Sequence, residues 1–216
     1  MKKQYAVFGL GGFGHSVALK LESLGCDVIV VDNSAEKIQE IADEVSLAMK
    51  ADVEDPDLMR SLGARNLDGV VVAISEDMEA SIMSTILAKE MGVPYVLAKA
   101  KSELHAKILK KVGADTIVYP EKEMGSRIAK SLVSANFADW IELSPEYSLV
   151  ETKIPEEWTG KSLVELRVRD VYGINVVGLV SDNKVQVTLD PYQPLPDKGM
   201  VILIGADKVL KNFKNE

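Results

Sequence analysis

The stretch that decides the fold runs from Val7 to Asp32, VFGLGGFGHSVALKLESLGCDVIVVD. An apolar run, Tyr5-Ala6-Val7-Phe8, leads into Gly9-Leu10-Gly11-Gly12-Phe13-Gly14; a helix-like segment follows, and then a second apolar run, Val28 to Val31, closes on Asp32. In such a strand–turn–helix the three spaced glycines have separate tasks. Gly9 permits the tight turn, Gly11 lets the backbone approach a phosphate, and Gly14 lets helix and sheet pack closely. The phosphates then meet the positive end of the helix dipole. Glycines also mark ordinary turns, so the context carries the weight: a strand before, a helix after, and an acid 18 positions beyond Gly14 at the end of the second strand. Asp32, with Asn33 beside it, is placed to hydrogen-bond both ribose hydroxyls, and its charge disfavours a 2′-phosphate and hence NADP. The plainer alternative for Asp32 is an acid that leads the next helix.

Outward from this unit the first half keeps alternating. Further near-continuous apolar runs are Ser46 to Met49, Val70 to Ile74 and Tyr95 to Ala98. Strands of this kind suit a parallel sheet covered by helices on both faces. Between them lie helices at Ser34–Asp43, with Ser34 as N-cap and Ile38 and Ile41 on one face, and at Asp77–Met91, with Ile82, Ile86 and Leu87 at similar spacing. The alternation predicts an α/β, doubly wound Rossmann-type domain over residues 1–120. A sixth short strand, Thr116–Tyr119, ends at Pro120. A connector helix is expected from Glu121 to about Phe137, within a linking segment assigned to residues 121–139. It carries Met124, Ile128 and Leu132 along one face, a stripe that packs either on its own domain or on a partner.

From about Trp140 the grammar changes, and residues 140–216 read as a second, smaller α+β domain. Strands are expected at Ser148–Ile154, Ile174–Val180 and Met200–Ile204, with short helices at Ser162–Val168 and Asp207–Phe213. Ser181-Asp182-Asn183 supplies turn chemistry for a hairpin into Lys184–Val187, whose alternation predicts a half-buried strand. A domain this small stands near the lower limit for an independent core, so dimerisation through it would help.

The composition narrows the function. At 216 residues and 47% hydrophobic content the chain can bury full cores, while a net charge of -8, with basic residues scattered among acids, excludes a nucleic-acid grip. A single cysteine, Cys26, cannot form an intrachain disulfide and reads as a half-buried small hydrophobe. The Met1-Lys2-Lys3 start leads into a strand without a signal-peptide core, and no apolar run approaches the roughly 20 residues of a membrane span, so a cytoplasmic chain is expected.

Further candidates sit at strand ends. Asp52 follows the third strand near where an adenine ring would lie, or is a solvated acid beside Glu54 and Asp55. Ala73 and Ile74, with Ser75, end the fourth strand and would flank a ligand, though Ser75 could instead cap the next helix. Lys99, ending the fifth strand, offers a cation to phosphate or is a surface lysine. Glu121 and Glu123 either complement a helix dipole or hold a divalent cation beside a triphosphate. His15 and His105 lack ligand-type neighbours and do not form a metal centre. An oxidoreductase would also need a proton donor or acceptor and a substrate pocket. No Tyr-x-x-x-Lys acid–base pair is expected and the second domain offers few such side chains, so the reading favours sensing over NAD-dependent redox chemistry or a scaffold with a vestigial site.

Taken together, GLGGFG, Asp32, LGARNLDGVVVAI, GADTIVYPEKEMG and RDVYGINVVGLV resemble the regulatory subunits of Ktr/Trk potassium-uptake systems, the RCK proteins, over essentially the whole chain. The resemblance implies a non-enzymatic subunit that binds ATP or ADP, with NAD(H) as a further candidate, and gates an integral membrane potassium-transporting partner from the cytoplasmic side. It implies that Gly9, Gly11, Gly12, Phe13 and Gly14 surround the phosphates, Asp32 and Asn33 the ribose, and Asp52 the adenine side. Ala73, Ile74 and Lys99 complete the set, and Glu121 helps hold Mg2+ or another divalent cation at the γ-phosphate. Many relatives carry Arg at the position of Gly12, and this chain departs from them there. Homodimers closing into an octameric ring are also implied, as is cyclic di-AMP binding in the C-terminal domain through Arg169, Asn175, Val176 and Pro191.

Overall fold

The computed structural model describes residues 2–133, 137–181 and 184–213. The chain divides into two compact units, Met1–Glu121 and Lys122–Glu216. In the first, strands β1 (Gln4–Phe8), β2 (Asp27–Asp32), β3 (Leu47–Lys50), β4 (Gly69–Val72), β5 (Val96–Lys99) and β6 (Thr116–Val118) form one parallel sheet in the order β3-β2-β1-β4-β5-β6. Helices α1 (Gly12–Ser23), α2 (Ala35–Ile41), α3 (Pro56–Ser61), α4 (Met78–Glu90) and α5 (Glu103–Lys111) connect the strands.

The apolar runs are continuous because both faces of the sheet are covered. Along β1, Ala6 and Phe8 join a core with Ile29, Val31, Val70, Val72, Val96 and Ala98 against Leu58, Leu87 and Leu109 of α3, α4 and α5. Val7, between them, points the other way into a core with Val28, Val30 and Val71 against Ala18 of α1 and Ile41 of α2. A period-2 strand buried on both faces has no position left for a polar residue. Cys26 packs, half-buried, against the second of these cores. The order of strands reverses between β1 and β4, and in open α/β sheets ligands bind outside the carboxyl ends of the strands at that point.

In the second unit, β7 (Phe137–Glu142), β8 (Tyr147–Lys153), β9 (Asn175–Ser181), β10 (Lys184–Gln186) and β11 (Met200–Ala206) form an antiparallel sheet in the order β10-β9-β11-β8-β7. Here burial alternates along β8 and β11, as expected of a sheet with one covered face. The cover is an aromatic cluster, Trp158, Tyr172 and Phe213, with ring centroids 5.4–5.8 Å apart.

Helix α6 (Pro120–Val133) follows β6. The expected connector does not stay helical to Phe137 or residue 139: Phe137–Glu142 is strand β7, paired with β8, a fate set by a partner strand that local periodicity does not reveal. The expected helix at Ser162–Val168 is two, α7 (Leu163–Leu166) and α8 (Val168–Tyr172), broken at Arg167, whose φ of 46° and ψ of 41° are left-handed. Lys184–Gln186 is not half-buried but exposed throughout, because it forms the edge of the sheet; Val185 and the following Val187 are 59% and 71% exposed. The turn residues Asp182 and Asn183 lie outside the described residues. Helix α9 (Asp207–Asn212) follows β11.

Candidate functional site

A cleft of about 460 Å³ opens at the carboxyl ends of the first-unit strands. Gly9, Gly11, Asp32, Asn33, Asp52, Ala73, Ile74, Ser75 and Lys99 all line it. Residues spread over some ninety positions meet there because each lies at or just beyond the carboxyl end of a strand of one parallel sheet.

The glycine positions divide by what a side chain would meet. Gly9 sits at φ +90°, and a Cβ there would stand 2.8 Å from Ile74 Cγ1. At Gly14 a Cβ would fall 1.9 Å from the Gly9 carbonyl oxygen, so the turn and the first helical turn are in direct backbone contact. Gly11 and Gly12 have nothing within 4 Å, which leaves open space over the start of α1. Gly11 is the N-cap of α1 and supplies no side-chain cap, whereas Ser34, Asp55, Asp77 and Ser102 cap α2, α3, α4 and α5. Uncapped backbone N–H groups beside open space form an anion seat. Gly12, Phe13 and Gly14 are not cleft-lining residues: Phe13 packs half-buried against the core beneath α1, so what this turn offers a ligand is its backbone.

Asp32 is buried and takes the plainer of the two roles weighed for it, the acid that leads the next helix. Its Oδ2 accepts the Leu10 N–H at 2.7 Å and its Oδ1 accepts the Ser34 N–H at 2.8 Å, so it braces the glycine turn and leads α2. Lys37 Nζ lies 3.5 Å from Oδ2. A carboxylate has about four acceptor sites, which leaves capacity for ribose hydroxyls, one of them in exchange for Lys37. Lys37 is a cleft residue that the motif does not flag; its signal is a cation one turn into the helix that Asp32 leads.

At the far side of the cleft Asp52 is exposed, and its Oδ1 accepts the Glu54 N–H at 3.0 Å in an Asx turn. Glu54, Glu76 and Asp77 also line the wall and were not singled out by the motif. Partial burial, with Asp52, Asp77 and Glu79 nearby, holds the Glu54 carboxyl above its ordinary range. Ser75 lines the cleft and is not the cap of α4: Asp77 is, accepting the Ala80 N–H at 3.0 Å.

Lys99 is not a surface lysine. Its side chain is 12% exposed and its Nζ lies 2.5 Å from Glu121 Oε1 at the start of α6. The hydrogen bond from Lys99 holds the Glu121 carboxyl below its usual range. Beside them Lys101 Nζ meets Glu76 Oε2 at 2.7 Å. Among the described residues no group of three or more His, Cys, Asp or Glu side chains is arranged to hold a metal ion. A Tyr-x-x-x-Lys spacing does occur, at Tyr95 and Lys99, but across strand β5, where four residues span about 13 Å. Tyr95 hydroxyl donates to Thr116 Oγ1 and Lys99 is taken by Glu121, so the two do not form an acid–base pair.

In the second unit, Arg169, Asn175 and Val176 line a shallow pocket of about 190 Å³ together with Leu163 and Arg167. Pro191 is not part of that wall; its carbonyl accepts the Val164 N–H, tying the loop to α7. No helix among the described residues is long and apolar enough to cross a membrane.

The family model described as the TrkA-N domain matches residues 5–120. The Ktr system potassium uptake protein C of Bacillus subtilis is 39% identical over 214 residues, which cover 99% of this chain and 97% of that protein. The Ktr system potassium uptake protein A of the same organism is 36% identical over 99% of this chain and 96% of its own length. Among solved structures, the GsuK channel bound to NAD superposes with a TM-score of 0.67 at 14% identity, over 97% of this chain and 38% of the channel chain, a likeness of fold. A domain model that spans the whole parallel-sheet unit, together with relatives alike from end to end, shows that the chain belongs to the TrkA-N family of Ktr/Trk potassium uptake proteins.

Proposed function

We propose that this chain is a non-enzymatic regulatory subunit that binds an adenine nucleotide, ATP or ADP, in the cleft at the β1–β4 switch point and thereby gates a membrane potassium-transporting partner. The observation that carries the reading is the pairing of an uncapped α1 terminus under open space with a buried carboxylate, Asp32, at the end of β2. Phosphate would sit on the first and ribose on the second. NAD(H) offers the same adenosine and pyrophosphate and remains the competing ligand; GsuK, which shares the fold, has been solved with NAD and with ADP. The separated and individually partnered Tyr95 and Lys99 support binding without hydride chemistry. A divalent cation such as Mg2+ would be held chiefly by phosphate oxygens, with Glu121 as a protein ligand once it leaves Lys99.

Gating follows from differential affinity: a nucleotide moves the transporter only if it binds two states of the assembly unequally. The assembly we infer is a homodimer-built octameric ring at the cytoplasmic face, and the stripe on α6 supports it. Met124, Ile128 and Leu132 are 52%, 51% and 80% exposed rather than packed on their own unit. The pocket at Arg169, Asn175 and Val176 favours a second ligand, cyclic di-AMP, whose phosphates an arginine would meet. Mass spectrometry of the nucleotide released from the purified protein by heat tests the main reading. ATP, ADP or NAD(H) is expected; an empty protein that also fails to bind all of them in calorimetry refutes it. Loss of an NADH signal over time on incubation with the protein would overturn the non-enzymatic part.

A further inference from the structure

The cleft is short of positive charge. Five acids, Asp32, Asp52, Glu54, Glu76 and Asp77, line it against two lysines. One of these, Lys37, lies against the Asp32 carboxylate at the ribose end. Among the described residues Lys99 is therefore the cleft cation available to phosphates beyond the one seated on α1, and it is held by a carboxylate from α6: its Nζ lies 2.5 Å from Glu121 Oε1. The two partners are unequal. The Lys99 side chain is 12% exposed and fixed at the end of β5, whereas that of Glu121 is 71% exposed at the second position of α6. When a second anion arrives, Glu121 is the partner free to leave.

We propose that Lys99 reads the length of the phosphate chain and that Glu121 is its built-in competitor, so that a polyphosphate binds by displacing Glu121 from Lys99. The inference rests on the reading that an adenine nucleotide occupies this cleft. An ammonium has three donors and can touch two anions, but a carboxylate and a phosphate sharing one half-buried lysine repel each other, and the phosphate carries the larger charge. Displacement leaves an uncompensated acid in the first turn of α6, where the helix dipole still favours it. Helix α6 runs on into the second unit, so the exchange acts on the segment that joins the two units. A monophosphate seated on α1 does not call on Lys99 and leaves the pair intact.

The test is calorimetric titration of the full chain with AMP and ADP in EDTA, which removes bridging cations, for wild type, Lys99→Gln, Glu121→Gln and the double variant. Ligand-free thermal melting shows that each is folded. Lys99→Gln is expected to lower the ADP-to-AMP affinity ratio about tenfold or more, the scale of a lost charge-assisted hydrogen bond. Glu121→Gln is expected to raise that ratio several-fold, since an exposed competitor has been removed, and to have no effect once Lys99 is gone. A ratio unchanged or lowered by Glu121→Gln, or a Lys99→Gln variant that weakens AMP and ADP equally, overturns the proposal while the nucleotide reading stands. If wild type binds neither AMP nor ADP the proposal falls, and the nucleotide reading falls with it if ATP and NAD(H) also fail to bind.

Discussion

Asp32→Asn separates the two tasks of the carboxylate. Asp32 accepts one backbone N–H on each oxygen, from Leu10 at 2.7 Å and Ser34 at 2.8 Å. Asparagine keeps one acceptor and turns a donor toward the other N–H. One buried backbone donor then goes unpaired, a cost of about 1–3 kcal/mol. For a unit of this size that lowers its melting temperature by roughly 4 °C per kcal/mol. The ligand term is separate: a hydrogen bond from a ribose hydroxyl to a charged acceptor is worth about 1.5–3 kcal/mol, or roughly 10- to 150-fold in affinity. Calorimetry with ADP and with 2′,3′-dideoxy-ADP on both proteins forms a double-mutant cycle that isolates the second term from the first. Wild type is expected to prefer ADP over the dideoxy analogue by that factor, and the variant to lose most of the preference. Equal affinity of wild type for the two ligands would refute the ribose contact, and Asp32 would then serve only the Leu10 and Ser34 turn.

Gly14→Ala places a methyl 1.9 Å from the Gly9 carbonyl oxygen and is expected to cost at least about 3 kcal/mol of stability or to prevent folding, while Gly12→Ala, in open space, is expected to be neutral or to stabilise by up to about 1 kcal/mol; equal melting of the two would contradict the backbone contact. His105 is fully buried, its Nδ1 accepts the Lys101 N–H, and burial pushes its pKa below the ordinary value. The unfolded chain then binds the extra proton, so stability is expected to fall as pH drops below about 6.5, with a slope of up to about 1.4 kcal/mol per pH unit. The carboxyls of Glu76, Asp115, Glu121 and Glu165 are shifted downward and act only below their own unfolded range near pH 4 to 4.5. Denaturant melts of wild type and His105→Gln between pH 7 and 5 check this, and an unchanged slope in the variant would remove His105 as the cause. Ile128→Asp puts a charge in the exposed stripe of α6 and is expected to yield a smaller assembly by light scattering; the wild-type mass in the variant would place the interface elsewhere.

Much of the first unit was legible because its signals are local. Gly9 is demanded by its left-handed φ and Gly14 by backbone contact with Gly9 five positions away, and the unbroken apolar runs at Val28–Val31 and Val70–Val72 follow from a sheet buried on both faces. Given that periodicity, a parallel order and a cleft at the strand ends follow from chain chirality and the shortness of the connections. The second unit was less legible. Phe137–Glu142 is a strand because β8 lies beside it, and Lys184–Gln186 is exposed because it has a neighbour on one side only, and neither fact is written in the residues themselves. The same holds for the charges of the cleft. Sequence placed Asp32 and Lys99 at strand ends as separate candidates, but Lys37 meeting the one and Glu121 the other, across 22 positions, arises only when the strands and helices are assembled. Local sequence determines backbone geometry and which faces are apolar; partnership between charges depends on distance in space, which tertiary structure alone decides.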